Sequence, residues 1–485
     1  MQQLKRVGQG LVGADGREVI LRGVAIGGWL NMENFITGFA GNESAHRQAM
    51  RRELGAERAQ AFFSALLGSF FTEADVHYLA GLGCNTLRVP FASHHFLDQE
   101  GEVDPAGLAR LDAVISWAKA QGLYIILDLH AAPGWQNRGW HCDNPYGISL
   151  FWGDRHFQEW ALAIWRLVAD HYRDEEAVAG YDLLNEPDAP EDSQVAELYR
   201  RWIPEIRRCD PHHLLFLEGN RYARDFGGME SLRVLDQQTV FSSHNYMLPT
   251  HQASSYPGSI GMEPGQNPRG GQAAGPVWVD RSWVEEEYRG AGAWFTQQGE
   301  PCWVGEFGAL YDGGVGTPSG ADRARLAALA DQIRIFNAHQ VHWTLWTYKD
   351  VDIQGLQVVR KDSEFGRRIA PFLALKSHLG VDQWTARGRG PLVSQVERLV
   401  NQVDQAVTEL THDFALSRSD LRDILTHRAI YGDVANHLNA VYARSFADLS
   451  VQGIAEVVRS GFDLQSCSER RPLAEVIAAG CHGEL

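Results

Sequence analysis

Between residue 19 and about residue 380 the chain alternates short apolar runs, each ending in polar residues, with longer stretches whose apolar positions recur every three or four residues. The short runs read as buried strands and the long ones as amphipathic helices, so the pattern is one of repeated β-α units. Eight strands are predicted, at 19–28, 86–91, 124–130, 180–185, 214–218, 240–246, 302–307 and 341–346. The helices between them carry stripes such as Leu108, Leu111, Ile115 and Ala118, or Phe157, Trp160, Ala161, Ile164 and Val168. Eight such units predict an α/β fold: a (β/α)8 TIM barrel with long loops on its C-terminal face. A doubly wound open sheet competes, but no Gly-x-Gly-x-x-Gly follows the first strand.

Three insertions, 31–71, 131–152 and 247–280, follow strand ends, where a barrel places its active face. The last holds 11 Gly or Pro within residues 247–276, which predicts an irregular flap with neither helix nor strand. Beyond Gly390 the pattern becomes purely helical, with Leu392, Val396, Leu399, Val403, Val407, Leu410 and Phe414 at spacings of three and four, then further segments at 421–427, 434–446 and 454–458. The chain accordingly divides into a catalytic barrel over 1–385 and a C-terminal α-helical appendage over 386–485. The appendage docks on the barrel of a monomer or joins two copies as a homodimer.

Charge and composition narrow the partners. With 44 Lys plus Arg against 61 Asp plus Glu the net charge is −17, which argues against a nucleic-acid partner. No apolar run approaches the 18 residues of a membrane span. The first ten residues lack the apolar stretch of a secretory signal, so a cytoplasmic location is expected, where the six Cys would be free thiols. The Cys spacing shows no CxxC pair, which speaks against structural zinc. The 15 Trp suit a ligand with apolar ring faces.

The candidate chemistry lies at two strand ends. Asn185-Glu186-Pro187 closes the fourth predicted strand, and Glu306 closes the seventh. A carboxyl just past a buried strand is desolvated enough to act as a general acid near neutral pH. In a closed barrel the two would face each other across the mouth, as acetal cleavage requires. Other residues read two ways. His94-His95 could line the cleft or hold a metal, although carboxylates at ligand spacing are missing. His141-Cys142-Asp143 could be a nucleophilic Cys with its base, although adjacent side chains diverge. Trp135, Trp140 and Trp152 could pack the core or form sugar platforms, and Glu218 could be a site carboxylate or a structural ion-pair partner.

Asn185-Glu186-Pro187 with Glu306 resembles glycoside hydrolase family 5, retaining β-glycosidases of a clan whose acid/base follows strand 4 and whose nucleophile follows strand 7. The similarity spans about residues 19–380. It lies nearest the exo-β-1,3-glucanase branch through Arg22-Gly23-Val24-Ala25-Ile26-Gly27-Gly28-Trp29-Leu30 with Glu33, through His130-Ala131-Ala132-Pro133-Gly134-Trp135-Gln136-Asn137, and through Trp343-Thr344-Leu345-Trp346-Thr347-Tyr348-Lys349. Ala25 and Asn245 depart from that branch. The resemblance implies that Glu306 is the nucleophile and Glu186 the acid and then base. It implies that Arg88 holds the nucleophile ionised, that His130 lines the sugar subsite and that Asn185 bonds the sugar 2-hydroxyl. His244 and Tyr246 would be the strand 6 pair, Trp346 the stacking floor, and Glu33 the residue at the blind end of the pocket. Trp29, Trp135 and Asn137 join the expected substrate-binding set through the motifs that contain them.

The expectation is therefore a retaining O-glycosyl hydrolase of exo-acting β-glucosidase or exo-β-1,3-glucanase type that needs no metal or organic cofactor. Its substrate would be a β-glucoside, an oligosaccharide or a glycolipid. A glycosylceramidase-like activity, with Phe35, Ile36 and Phe39 receiving the lipid, and an endo-β-glucanase are the enzymatic alternatives. A carbohydrate-binding protein on an inactive barrel is the non-enzymatic one, and the presence of both Glu argues against it.

Overall fold

The structure, a computed structural model, describes residues 1–485 except 99, 263–274, 313, 387–389 and 412–416. At its centre eight parallel strands close into a barrel: β1 Arg22–Ala25, β2 Thr86–Ala92, β3 Tyr124–Ala131, β4 Val178–Asp182, β5 Leu214–Glu218, β6 Thr239–His244, β7 Cys302–Phe307 and β8 His342–Leu345. They follow one another round the ring in chain order, and β8 closes on β1 through Trp343↔Arg22 and Leu345↔Val24. Strands covered on both faces need apolar side chains on both, which is why they read as near-continuous apolar runs. β4 ends three residues before its predicted limit and β6 two, so Asn185, Glu186 and Tyr246 stand in loops. Leu183 and Leu184 are fully buried beyond the end of β4. Apolar patterning reports burial, and here burial outlasts the hydrogen-bonded ladder.

The helix over Leu108–Gln121 buries Leu108, Leu111, Ile115 and Ala118 as its pattern requires. Along Arg155–Tyr172 the buried face holds Ala161, Leu162, Ile164, Trp165 and Val168, while Phe157 and Trp160 lie half-buried on the flank because Trp165 takes the inward position. At the bottom a hairpin, Lys5–Val7 with Gly10–Val12, brings Leu4 and Leu11 against Phe216 and Trp303 and plugs the ring.

Two expectations need correction. The 247–280 insertion is not wholly irregular: it contains the helix Leu248–Gln252 and an antiparallel ribbon of Gly258–Met262 with Gly275–Val279. A two-stranded ribbon exposes its outer edges, where Gly and Pro cost little, so their number did not preclude strands; the turn between the strands falls outside the described residues. The region past Gly390 is not purely helical either. Cys467–Glu469 pairs antiparallel with Gln357–Val359. The predicted stripe is half covered, with Val396 and Val400 buried and Leu399, Val403 and Leu410 exposed; Phe414 lies outside the described residues.

The rest of the C-terminal segment is tied to the barrel. Ala435–Arg444 lies on Glu43–Leu54, and Val451–Phe462 lies on Ala56–Ser69. The last helix, Arg471–Cys481, packs against Gly320–Ala338 and β1. It buries Leu473, Ala474 and Ile477 in the core that also holds Ile333 and Trp343. Arg22 Nη1 donates to the Cys481 carbonyl at 3.2 Å, and Asn337 Nδ2 to that of Gly480 at 2.9 Å. This helix occupies a place in the wall around the barrel and is sequentially remote from the strands it covers.

Candidate active site

The loops after the strands surround a cavity of about 500 Å³ whose floor and sides include Glu33, His130, Glu186, His244, Glu306 and Trp346. Strand order alone accounts for the meeting of Glu186 and Glu306, because residues past β4 and at the end of β7 lie on opposite sides of one mouth. A ring nitrogen of His244 and one oxygen from each carboxyl lie within 4.8 Å of one another. That closeness suits a second carboxylate that attacks an anomeric carbon directly.

Each carboxyl has distinct partners. Glu306 receives Arg88 Nη1 at 2.6 Å on one oxygen and the Tyr246 hydroxyl at 2.8 Å on the other. Burial and the Glu306 charge push the Tyr246 phenol well above its ordinary range, so it stays a donor. Glu186 takes a hydrogen bond from His244 Nδ1 at 2.8 Å on Oε1, and His141 Nε2 stands 3.1 Å from Oε2. Its backbone sits in the left-handed region at φ 45°, held there by a 2.6 Å hydrogen bond from its N–H to Glu218 Oε2. A strained, over-determined backbone at such a residue is a mark of function.

Beneath them lies a buried charge network. The Arg88 guanidinium touches Asp128, Asp182, Glu218 and Glu306, at 3.1, 3.0, 3.2 and 2.6 Å, and donates to Asn185 Oδ1 at 2.8 Å. Burial, with Glu218 beside it, pushes Asp182 well above the usual carboxylate range, against the pull of Arg88. Burial opposes charge on His130, but Asp128 at 2.7 Å and Glu33 at 3.2 Å outweigh it and raise the ring to about 10. Burial likewise opposes charge on His244, and Glu218 and Glu306 overcome it. Burial raises the Glu33 carboxyl, against the pull of His130. Glu186, His244 and Glu306 also form the only metal-type cluster of ligand atoms among the described residues, in which His244 Nδ1 is hydrogen-bonded to Glu186 at 2.8 Å.

Most of the residues expected at the site meet here. Trp346 lies flat against His130, rings 5.3 Å apart and 4° from parallel. It can do so because position 27 is glycine: a Cβ there would stand 2.5 Å from the indole. Asn185 and Arg88 sit below the cavity floor. Asn137 supports the site from behind and does not line it, donating to the Glu186 carbonyl at 2.9 Å. Trp29 is turned away: 2% exposed, it donates to the Leu67 carbonyl and packs on Phe71, so it is a core residue. Trp135 stands outside the cavity against Tyr146, 5.6 Å between rings. Glu218 is a fully buried ion-pair partner. Cys142 is buried with its thiol pushed up by desolvation, which removes the thiolate a nucleophile needs. His94 lies off the cavity, 3.4 Å from Glu43.

Sequence reasoning missed Tyr222, Trp384 and His427 in the cavity, and read His141 only as a possible base for Cys142. His141 and Tyr222 come from the loops after β3 and β5, and Trp384 and His427 from beyond the barrel strands. Trp384 packs edge-on to Tyr246 at 5.1 Å and donates through Nε1 to Gln354. It is set in place by buried Lys376, which bonds the Asn34 and Phe39 carbonyls and Asp382. No local signal marks such residues, since only the fold brings residue 384 to residue 246.

The cellulase model of glycosyl hydrolase family 5 matches residues 57–352. A β-xylosidase of Phanerodontia chrysosporium is 33% identical over 490 residues, spanning 98% of each chain. The chain belongs to glycoside hydrolase family 5. A probable glucan 1,3-beta-glucosidase A of Emericella nidulans (strain FGSC A4) is 30% identical over 247 residues, 49% of this chain and 58% of that protein. The crystal structure of an endogalactoceramidase superposes with a TM-score of 0.52 at 20% identity, over 72% of this chain and 75% of that one, and so shares the fold of this family 5 glycosidase. Among the described residues no helix is long and apolar enough to cross a membrane.

Proposed function

We propose that this family 5 glycosidase is a retaining, exo-acting β-glycosidase that removes one sugar from the non-reducing end of a β-glucoside, with Glu306 as nucleophile and Glu186 as acid and then base. The observation that carries the reading is the convergence of the two carboxyls, with oxygens within 4.8 Å, each with its own donors. Arg88 and Tyr246, through one hydrogen bond to each Glu306 oxygen, would aim it at the anomeric carbon. Glu186 would protonate the leaving oxygen while C1 passes to Glu306, then take a proton from the water that releases the sugar. Asn185, held by Arg88, would meet the 2-hydroxyl, and Trp346 the apolar face of the ring.

Exo action draws support from Glu33, a buried carboxyl that lines the cavity together with Phe35 and Trp140 and matches the residue at the blind end of the pocket in the exo-acting branch. A β-1,3 linkage is supported by the 30% identity to the probable glucan 1,3-beta-glucosidase A over 247 residues and by the motifs that resemble the exo-β-1,3-glucanase branch. A second reading, β-xyloside as substrate, is favoured by the β-xylosidase whose likeness runs the full length of the chain, C-terminal segment included. Comparison of p-nitrophenyl β-glucoside and β-xyloside, wild type against Glu306→Gln, tests both. NMR of the first-formed anomer tests retention, and inversion would overturn the assignment. We take residues 1–385 as the catalytic barrel and 386–485 as an accessory that completes its wall, in a monomer, because Ala435–Arg444, Val451–Phe462 and Arg471–Cys481 pack on the same chain, although Leu399, Val403 and Leu410 stay exposed; sedimentation checks this. Six unpaired Cys support a reducing, cytoplasmic setting.

A further inference from the structure

Among the described residues, the C-terminal accessory reaches the catalytic cavity at one side chain, His427. It lies at the start of a π-helical stretch, Thr426–Val434, that joins the helices Arg418–Leu425 and Ala435–Arg444. Such wide turns are rare and gather at functional sites. This one is seated on the loop after β3: a Cβ at Gly432 would stand 3.6 Å from the Pro145 carbonyl oxygen, and one at Gly147 3.2 Å from Arg428 Cγ. Ile430 and Tyr431 are buried. The helix that follows is pinned to the loop after β1, where Asn439 exchanges two hydrogen bonds with the Ala40 backbone, at 3.1 and 2.6 Å. His427 is thereby fixed from both sides, its ring edge-on to Tyr431 with 5.6 Å between centroids.

The ring has polar atoms to spare. Neither nitrogen of His427 bonds a described residue, and burial lowers the imidazole pKa, so the neutral ring brings one donor and one acceptor to the cavity. The charges that act on it are Asp423, on the preceding helix, and Arg138 and His141, on the loop after β3. His141 in turn stands 3.1 Å from Glu186 Oε2. His427 therefore lies one layer further out than His141, on the Glu186 side of the cavity and away from Glu33, His130 and Trp346. An acid that protonates the glycosidic oxygen has the leaving group on its own side. Trp384 shares the outer cavity, and with its N–H spent on Gln354 it offers ring surface alone. A hydroxyl-bearing ring with apolar C–H faces satisfies both side chains, whereas a small alkyl group leaves the imidazole unmet.

We propose that His427 is a specificity-determining residue contributed by the C-terminal accessory, which hydrogen-bonds a hydroxyl of the leaving group and so favours glycosides whose leaving group is itself a sugar. The proposal rests on Glu186 being the acid/base, since that role puts the leaving group on this side. It gives residues 386–485 a part in substrate choice beyond their place in the wall.

The test measures kcat/KM for full-length wild type, His427→Ala, His427→Phe and His427→Gln on two glycosides of the sugar the enzyme turns over faster, the methyl β-glycoside and a β-linked disaccharide. Both leaving groups are poor and need a proton, so the substrates differ in what they offer the outer cavity. NMR counts the released monosaccharide. In His427→Ala the disaccharide should lose about tenfold more than the methyl glycoside, mostly through KM, which is about the worth of one hydrogen bond. His427→Phe keeps a ring against Tyr431 without the polar atoms and should lose as much. His427→Gln, whose amide donates and accepts, should keep part of the preference. Equal losses on the two substrates, a preference retained by His427→Phe, or a Gln variant no better than Phe overturns the proposal. Glu186→Gln separates the two readings: if it abolishes hydrolysis of both glycosides and the His427 variants treat them alike, only the role of His427 falls, and if it leaves hydrolysis of both intact, the acid/base assignment falls first.

Discussion

The last helix, Arg471–Cys481, offers a sharp test of whether the C-terminal segment is part of the barrel wall or merely rests on it. Ile477 is fully buried, and truncating it to Ala removes three carbons from a site flanked by rigid barrel elements. Leu or Ile to Ala in such a core costs about 2–5 kcal/mol. Gly480 tests the same packing in the opposite sense. A Cβ at that position would stand 2.6 Å from Ile333 Cγ2 and 3.3 Å from the Trp343 indole, both on buried side chains. Ile is stiff at χ1 and the neighbours are close-packed, so Gly480→Ala should cost about 1–3 kcal/mol through overpacking, despite the better helix propensity of Ala. With an m-value of about 3 kcal/mol/M or more, Ile477→Ala should lower the urea midpoint by roughly 1 M, read by Trp fluorescence. Hydrolytic activity should be lost along the same curve, because Trp343 belongs to β8 and β8 leads into Trp346. A midpoint shift below about 0.2 M for both variants, the range of ordinary surface changes, would refute the reasoning and make the helix a loose appendage.

Other outcomes follow from the same contacts. Glu186→Gln should lower kcat/KM by about 10²–10⁴ on substrates with poor leaving groups, and added azide should restore turnover of activated ones as a β-glycosyl azide, checked by product NMR. Arg88→Met leaves buried carboxylates without their cation and should destabilise the fold by about 3–5 kcal/mol, measured by urea unfolding at pH 7; a small cost would mean that Asp128, Asp182 and Glu218 are largely neutral. Trp384→Ala should cost about tenfold in kcat/KM, mainly through KM, if that indole contacts the bound glycoside; a loss confined to kcat would argue against contact. His46 lies under Phe39, Phe62, Phe63 and Tyr442, and burial lowers its pKa to about 3. The unfolded chain therefore binds that proton first, so its contribution to stability is complete above about pH 6.5 and drains away as pH falls toward 3, about 2 kcal/mol being lost by pH 5. His46→Leu should flatten the unfolding free energy between pH 6.5 and 4 by about one proton's slope, and an unchanged slope would assign the acid sensitivity elsewhere.

The barrel and its two carboxyls were legible because they depend on local pattern. Parallel strands need apolar side chains on both faces, so the runs at 86–91 and 302–307 announce themselves, and once eight units are counted the ring places residue 186 opposite residue 306. Strand ends were less legible. Leu183 and Leu184 continue the apolar run of β4 although the ladder stops at Asp182, since a roofed loop needs the same residues as a strand. Trp29 misled for a related reason: its motif places it beside the site, but its side chain rotates into the core between Leu67 and Phe71. The ribbon within 247–280 was hidden because glycine and proline counts speak to regular interior structure and say little about an exposed two-stranded edge.

What the chain alone determined is the architecture and the opposed Glu186 and Glu306, because each follows from strand pattern and order; Arg88, His130, Asn185, His244, Tyr246 and Trp346 were expected around them through the resemblance to the family. Tertiary structure decided the rest: that Asn137 and His141 meet beside Glu186, that Trp384 and His427 wall the cavity, and that residues 471–481 help enclose the barrel. Those outcomes depend on side chains from segments with no shared periodicity meeting at hydrogen-bond or van der Waals distance. Such meetings are determined by how the whole core packs.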